Sequence, residues 1–558
     1  MAAVTPQAPS TARLESETWS AHRSHPWPPT ERTLRERLLP TVSVAPGWSW
    51  LLPLLPVLLG GFLRFWNLGH PQDIAFDETY YVKDSWSMML SGYERQWPEG
   101  ADDGFIAGVP PDPLDEPSYA VHPPLGKILV GLGMWLFGPG DAFGWRFSSA
   151  VAGTAMILLV VIAAALLFRS PIVAAIAGLA LSVDGLHLTQ SRLALLDIFL
   201  ALFVLLAFVL LLVDREDGRM RLAHRLGAAP DPGADLPPDP PPAAGSAASR
   251  HWDWGPWLGV RWWRIAAGVS CGLALGVKWN ALYFIAALGL LTVAWDITAR
   301  RTAGVRHWLP AGILKDGLFA FVSLIPTALL VYLLTWTGWL RSTDGYDRSW
   351  AAEHPGEGVA WLPEALRSLW AYHVSAYRFH EGLDTEHTYM SSPWQWLVLA
   401  RPTSYYYESL GQGQAGCAVE QCSQQIVNQG NPAVWWAALP AIAAAAVIVA
   451  LRRDWRLLSL LGLAAAGWAP WLLYPERTKY FFYALPYLPF LVLILAGIAG
   501  LLLPGPRTRL WRARGGWLLV GLWLVLVVGC AAYFWPLWSA EVIPYDAWRD
   551  RMWFDSWI

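Results

Sequence analysis

The stretch WRFSSAVAGTAMILLVVIAAALL, residues 145–167, decides the fold class of this chain. Apart from Arg146 near its start it carries no charge, and an α-helix rising about 1.5 Å per residue needs about 20 such residues to cross a bilayer core of roughly 30 Å. Comparable stretches recur along the 558 residues, which are 55% hydrophobic and only 15% charged. The sequence therefore predicts an all-α polytopic membrane protein.

Charge between the apolar stretches predicts the topology. We expect about eleven spans. They fall at 48–68, 145–167, 171–188, 194–213, 262–279, 281–297, 316–339, 433–451, 457–474, 480–503 and 517–538. Short cytoplasmic loops are enriched in Lys and Arg. With the N-terminus inside, the inside loops are all basic, namely Arg215–Arg225, Arg300–Arg306, Arg452–Arg456 and Arg507–Arg514. An odd number of spans then places the C-terminus outside a cell (inner) membrane.

This topology divides the chain into four parts. We expect a cytoplasmic disordered tail, a membrane module with one long outside loop and one inside loop, a second outside loop able to form short helices, and C-terminal spans with an outside tail. Their ranges are 1–47, then 48–340 with outside loop 69–144 and inside loop 214–261, then 341–432 and 433–558. The inside segment 226–250 is rich in Pro, Gly and Ala and is predicted to be flexible.

An acidic pair, Asp77-Glu78, follows the first span in NLGHPQDIAFDETYYVKDSW, residues 67–86. Taken alone, the two residues are ordinary loop acids. A carboxylate at the outer membrane surface can also take the proton of an attacking hydroxyl, while a lipid-linked phosphate leaving group needs cations and hydrogen bonds rather than an acid. We expect an enzyme acting there on a lipid-linked sugar.

Other polar residues lie where apolar ones would be expected near the outer face. A charge near the bilayer is costly unless it is paired, anchored at the headgroups or functional. Arg192 and Asp197 are spaced to form an ion pair, Lys127 is suited to a headgroup anchor, and all of them are also candidates for phosphate binding or active-site support. The candidates are His122, Lys127, Arg146, Arg192, Asp197, Lys278, Arg477 and Lys479.

Two further patterns concern bridges and metals. Cys417 and Cys422 lie together in a polar outside loop, where they either form a small disulfide loop or remain free thiols. Oxygen ligands for a divalent cation are an alternative role for the acids of the first loop, and that set is Asp73, Asp77, Glu78, Asp102 and Asp103.

The motifs together resemble the protein O-mannosyltransferases, members of the glycosyltransferase-C (GT-C) superfamily. The resemblance covers most of the chain. It rests on FDETYY (76–81), HPPLGK (122–127), WRFSSA (145–150), SRLALLDIFL (191–200) and GVKWN (276–280), with YDAWRDRMWF (545–554) similar to the actinobacterial branch.

The resemblance implies a GT-C fold with membrane-surface helices in the first outside loop, and inverting transfer of mannose from polyprenyl-phosphate-mannose to Ser or Thr. It assigns catalysis to Asp77 and Glu78, with Asp77 expected as base. Arg146 is expected to serve phosphate or architecture, and Lys278, Arg477 and Lys479 are expected phosphate ligands. No metal or other cofactor is expected. The eukaryotic relatives' trefoil-like domain has no counterpart in 341–432, which puts acceptor recognition in doubt and favours exported, unfolded acceptors near the Sec translocon.

Two rival functions stay open on the sequence. A GT-C transferase acting on a cell-wall glycan or a lipid would share these motifs. A transporter would also carry charges near the membrane, although here they crowd toward one face. The net charge of -3 gives no indication of nucleic acid binding.

Overall fold

Helices account for most of the chain in the computed structural model, which describes residues 31–39, 47–227, 252–504 and 510–558. The α-helices of these ranges are α1 Glu31–Leu38, α2 Leu54–Phe65, α3 Glu78–Ser91, α4 Ala101–Ile106, α5 Leu125–Phe137, α6 Ala142–Phe168, α7 Pro171–Ser182, α8 Gly185–Gln190, α9 Asp197–Gly227, α10 Trp262–Leu275, α11 Ala281–Ala303, α12 Trp308–Ala311, α13 Leu318–Thr335, α14 Thr337–Arg341, α15 Trp350–Glu353, α16 Glu364–Glu381, α17 Pro393–Leu397, α18 Pro432–Arg452, α19 Trp455–Trp468, α20 Leu488–Leu502, α21 Leu510–Ser539 and α22 Tyr545–Asp550.

Eight helical segments of the described ranges are long and apolar enough to cross a membrane. They are Gly47–Phe65, Ala142–Phe168, Asp197–Gly227, Ala281–Ala303, Trp308–Thr335, Pro432–Arg452, Trp455–Leu473 and Trp511–Ser539. The shorter helices α7, α10 and α20 lie in the other three predicted spans. The predicted all-α polytopic membrane fold is confirmed as a mostly helical one, while the number of eleven spans stays a prediction.

The reversal between α6 and α7 shows how sequence sets the helix ends. Asp141 caps the start of α6 by accepting the Phe143 N–H at 2.8 Å. Arg169 ends it in the left-handed conformation with φ 53°. Ser170 then caps α7, whose first residue is Pro171, a residue suited to the first helical position. The chain can therefore turn back after α6 within two residues.

At one end of the bundle, the first outside loop, the second outside loop and the C-terminal segment pack together. Tyr372 of α16 accepts a hydrogen bond from the Ala120 N–H at 3.0 Å and donates one to the Ala120 carbonyl at 2.6 Å. Arg401 donates to the Ile558 carbonyl at 2.8 Å. Segments far apart in sequence thus form one layer at this end.

A small antiparallel sheet belongs to the same layer, and the sequence patterns do not predict it. Its strands are β1 Ser404–Gly411, β2 Gln421–Val427 and β3 Ile543–Pro544. They lie in the order β1-β2-β3, so β2 is central and β1 is an edge strand. Cys417 and Cys422 form a disulfide where the chain turns from β1 to β2.

The opposite end of the bundle holds a buried ionic cluster. Arg261 donates to Asp214 and to Asp296, each at 2.7 Å, and Arg264 contacts the same two carboxylates. Buried charges are costly unless they are paired in this way. Arg215 and Arg300, from two of the basic loops of the sequence, lie at this end, away from the acidic pair.

Part of the predicted disordered tail 1–47 is ordered. Leu34 and Leu38 of α1 are buried against Leu222 and Leu226 of α9, because α1 is amphipathic and α9 extends past the apolar stretch. Disorder is thus the wrong prediction for residues 31–38. Residues 1–30 and 40–46 of the tail lie outside the described residues. So do residues 228–250 of the predicted flexible segment.

Candidate active site

Glu78 is the first residue of α3 and is completely buried. Its two carboxylate oxygens accept the Ala75 N–H at 2.9 Å, the Ala194 N–H at 2.7 Å and two N–H groups of Arg146 at 3.0 and 2.9 Å. A carboxylate with all of these partners has little capacity left to accept a proton from a substrate. Glu78 therefore holds the first loop in place.

Arg146, at the start of α6, is equally buried. Besides Glu78, its guanidinium donates to the carbonyls of Pro71 and Asp73, both at 2.8 Å. Its five N–H donors are directed at protein acceptors, so it fits the architectural role and does not reach a phosphate. One arginine joins the end of the first span, the first loop and α6.

Asp77 is in a different position, although it is the adjacent residue. It precedes the first turn of α3 and is half-buried. Burial raises the pKa of its carboxyl to about 6, the Asp197 carboxylate raises it further, and the Lys278 ammonium and a hydrogen bond from Tyr81 oppose the shift. A base whose pKa is close to the working pH is effective in proton transfer.

Lys278 and Asp197 form the charged floor beside Asp77. The Lys278 Nζ lies 2.7 Å from Asp197 Oδ2, and both side chains are buried. The ammonium also lies 6.0 Å from the centre of the Tyr483 ring. Lys278 thus supplies positive charge next to the candidate base.

Two histidines and an arginine form a second cluster, close to Lys278. The rings of His122 and His380 stack with centroids 5.2 Å apart, and Arg477 bonds to the His380 carbonyl. Burial lowers the pKa of His122 well below its usual value, and the Lys278 charge adds to this. Burial and Arg477 likewise lower the pKa of His380 to about 4. The lowered pKa values favour neutral imidazole rings, so Arg477 is the cation of this cluster and Lys278 is a second cation nearby.

Comparison with known proteins identifies the family. One family model, described as dolichyl-phosphate-mannose-protein mannosyltransferase, matches residues 137–226, and another, the C-terminal four TMM region of protein-O-mannosyltransferase, matches residues 365–557. The polyprenol-phosphate-mannose–protein mannosyltransferase of Mycolicibacterium smegmatis is 36% identical over 91% of this chain and 93% of the relative. The chain belongs to the protein O-mannosyltransferase family.

A second bacterial relative supports the family, and a solved structure supports the fold. The Corynebacterium glutamicum enzyme of the same name is 34% identical over 87% of this chain and 88% of the relative. The Saccharomyces cerevisiae Pmt1-Pmt2 complex bound to the sugar donor superposes with a TM-score of 0.66 at 14% identity, covering 95% of this chain and 94% of that one. This O-mannosyltransferase therefore has the expected GT-C fold.

The structure does not form the ion pair expected between Arg192 and Asp197. Arg192 donates to the carbonyls of Leu63 at 3.0 Å and Trp66 at 2.7 Å, at the C-terminal end of α2. The last carbonyls of a helix lack partners inside the helix and attract a cation. Asp197 is left to pair with Lys278.

Lys127 and Lys479 are both buried in this O-mannosyltransferase, which differs from the headgroup or phosphate roles considered above. Lys127 bonds to Glu94 and lies 3.8 Å from Asp84. The Nζ of Lys479 donates to backbone carbonyls of its own turn, including that of Pro475 at 2.9 Å. Neither ammonium is exposed toward Asp77.

Phe76 is a site residue that the sequence patterns miss. Its backbone is in the left-handed region with φ 53°, which is unfavourable for a bulky residue. Its ring packs 5.2 Å from Tyr405, 5.9 Å from Phe482 and 6.1 Å from Tyr480. These contacts hold the strained turn that directs Asp77 into the site. The FDETYY motif contains Phe76, but only the structure shows which residues the Phe76 ring contacts.

The acids of the alternative metal site are dispersed. Asp102 accepts from Thr79 Oγ1 at 2.5 Å and pairs with Lys83 at 2.9 Å, while Asp73 Oδ1 accepts the Ile74 N–H at 2.8 Å. Within the described ranges, no group of three or more His, Cys, Asp or Glu side chains is arranged to hold a metal ion.

Proposed function

We propose that this protein transfers mannose from polyprenyl-phosphate-mannose to Ser or Thr hydroxyls of polypeptides, with Asp77 as the base. The observation that carries the proposal is the half-buried Asp77 carboxyl with a pKa of about 6, placed beside Lys278 in a chain 36% identical to a named polyprenol-phosphate-mannose–protein mannosyltransferase.

The proposed reaction is a direct displacement. The acceptor oxygen attacks the anomeric carbon as Asp77 takes its proton, and the bond between that carbon and the phosphate oxygen breaks with its electron pair leaving on polyprenyl phosphate. Direct displacement inverts a β-linked mannosyl phosphate to an α-mannoside. Asp77 returns its proton to water. No covalent intermediate is required.

The leaving phosphate needs cations rather than a proton. Lys278 is beside Asp77, and Arg477 is half-buried and donates to the carbonyl of His380, whose ring stacks on His122. Preorganised cations stabilise the charge that develops on a leaving phosphate. Lys278 and Arg477 are therefore the proposed phosphate-binding pair, with Glu78 and Arg146 as positioning residues.

The setting of the reaction is the extracytoplasmic face of the cell membrane. Arg215 and Arg300, from two of the basic loops, lie at the end of the bundle opposite Asp77, which supports a cytoplasmic N-terminus and an extracytoplasmic C-terminus. Residues 48–340 form the catalytic membrane module and 341–432 the loop that replaces a trefoil-like domain. Acceptors at this face are exported chains, still extended as they leave the Sec translocon.

We propose that no divalent metal is needed. The site holds its carboxylates apart and supplies its positive charge from Lys278 and Arg477. Transfer should survive a chelator with most of its rate intact. A complete loss of transfer that one added divalent ion restores would contradict this.

The function is tested with purified protein in lipid, labelled polyprenyl-phosphate-mannose and a Ser/Thr/Pro-rich peptide. The expected product is mannosyl peptide that α-mannosidase cleaves, and Asp77→Asn should not form it. Label found in a cell-wall glycan or lipid acceptor, with none in the peptide, would overturn the proposal and support the rival acceptor class.

A further inference from the structure

We propose that the open edge of β1 binds the acceptor polypeptide, which pairs with it as an added strand and so brings its hydroxyl to Asp77. This rests on the proposed function and concerns how the acceptor is recognised. The ligand class is an extended main chain, whatever its side chains.

The first observation is that β1 has an unpaired edge. The sheet of the described residues ends at β1, and three consecutive residues of this strand, Tyr407, Glu408 and Ser409, are exposed. By contrast, β2 is buried from Cys422 to Val427. The N–H and C=O groups on an open edge are a template for another extended chain.

The second observation is that this edge is not protected. Edge strands are usually blunted by Lys, Pro or a covering segment. The sequence of β1, SYYYESLG, contains neither Lys nor Pro, and Glu408 is its one charged residue. A register shift interrupts the pairing of β1 with β2 between Ser404 and Tyr406, and from Tyr406 to Gly411 the pairing is continuous. The open edge of this continuous part is suited to transient pairing.

The third observation is where the edge begins. Tyr405 lies with its ring 5.2 Å from Phe76, the residue before Asp77. The Tyr406 hydroxyl donates to Glu408 at 2.7 Å, two residues further along the strand. The start of β1 is therefore next to the candidate base, and the strand leads away from it.

The strand is also held in place by its neighbours, so less conformational entropy of the enzyme is lost when an acceptor binds to it. The Tyr405 hydroxyl accepts from Gln190 at 2.5 Å and from Asn428 at 2.8 Å, and the turn after β1 is closed by the Cys417–Cys422 disulfide. Preorganised surfaces bind more tightly for the same contacts.

The reach of this surface can be worked out. From Tyr405 to Gly411 the strand spans about 20 Å at about 3.3 Å per residue. The edge can therefore pair with about six residues of the acceptor on one side of its Ser or Thr. Main-chain pairing uses every second residue of the added chain, because successive N–H groups point in opposite directions.

The test uses unmodified enzyme and a series of single-Thr peptides, each N-methylated at one backbone amide. We expect KM to rise about fivefold, the effect of one main-chain hydrogen bond, at alternate positions on one side of the Thr. Intervening positions should change KM less than about twofold, and kcat should stay constant. Equal sensitivity at consecutive positions, or none at any, would overturn the proposal.

Two controls separate this proposal from the function it rests on. A threonine derivative blocked at both termini is too short to reach the edge and should be mannosylated with a high KM. If neither this derivative nor any peptide is mannosylated, both proposals are overturned. A peptide with a benzophenone side chain two residues from its Thr should cross-link within 404–411. Cross-links only in other segments would overturn the edge-binding proposal alone.

Discussion

Neutralising the two adjacent acids, Asp77 and Glu78, should damage the protein in different ways. Asp77→Asn removes the base and leaves a half-buried neutral side chain where a charge was disfavoured. We expect kcat to fall by about 10² to 10⁴, the usual contribution of general base catalysis. The KM for the lipid donor and the thermal unfolding midpoint should change little.

Glu78→Gln should act on stability instead. It removes the charge that pairs with Arg146 through two hydrogen bonds in a fully buried setting. Breaking one side of a buried ion pair costs about 3–5 kcal/mol, because the remaining charge is left uncompensated. The amide also presents N–H donors where Arg146, Ala75 and Ala194 donate.

The assay measures transfer of labelled mannose and thermal unfolding on the same purified samples. Glu99→Gln, an exposed acid of the same loop, is the matched control and should resemble the parent protein. The reasoning is refuted by a fully stable Glu78→Gln protein without transfer activity, or by Asp77→Asn retaining more than about a tenth of the parent kcat.

Three further outcomes are expected. Because Asp77 must be ionised and its pKa is raised to about 6, kcat/KM should rise tenfold per pH unit below about pH 6 and level off above it, and a rise centred near pH 4 in a pH-rate profile would contradict this. Lys278→Met should raise the KM for the donor and shift that profile to higher pH, since the Lys278 charge lowers the pKa of Asp77, and an unchanged profile would argue against it. Replacing Cys417 and Cys422 by Ser should destabilise the hairpin by roughly 2 kcal/mol, from the chain entropy of so short a loop, which proteolysis of the hairpin would detect. Unchanged proteolysis would count against this last value.

The spans and the loop carrying the site were predictable because each depends on local sequence. Hydropathy alone marks a helix such as α6, and the excess of Arg predicts which loops lie inside. Partner choice was not predictable, since it depends on segments brought together by folding. The hydrogen bond between Arg146 and Glu78 joins residues 68 positions apart, and no sequence spacing predicts it.

The same limit explains the errors. Arg192 and Asp197 are five residues apart, a separation that suggested a pair, yet α8 ends before them and α9 begins at Asp197, so they do not share a helix face. The sheet was missed because β3 lies beyond the last span, more than a hundred residues from β2 in sequence. Likewise, the strained backbone of Phe76 has no signature in an Asp-Glu motif.

That late third strand has a consequence for biosynthesis. Since Ile543 and Pro544 complete the sheet and follow α21, this layer cannot close until the chain has been synthesised past α21. Until then β2 lacks one of its partners and the Trp548 indole cannot donate to Gln425. We therefore expect a chain that stops before residue 543 to lack the completed sheet beside Asp77.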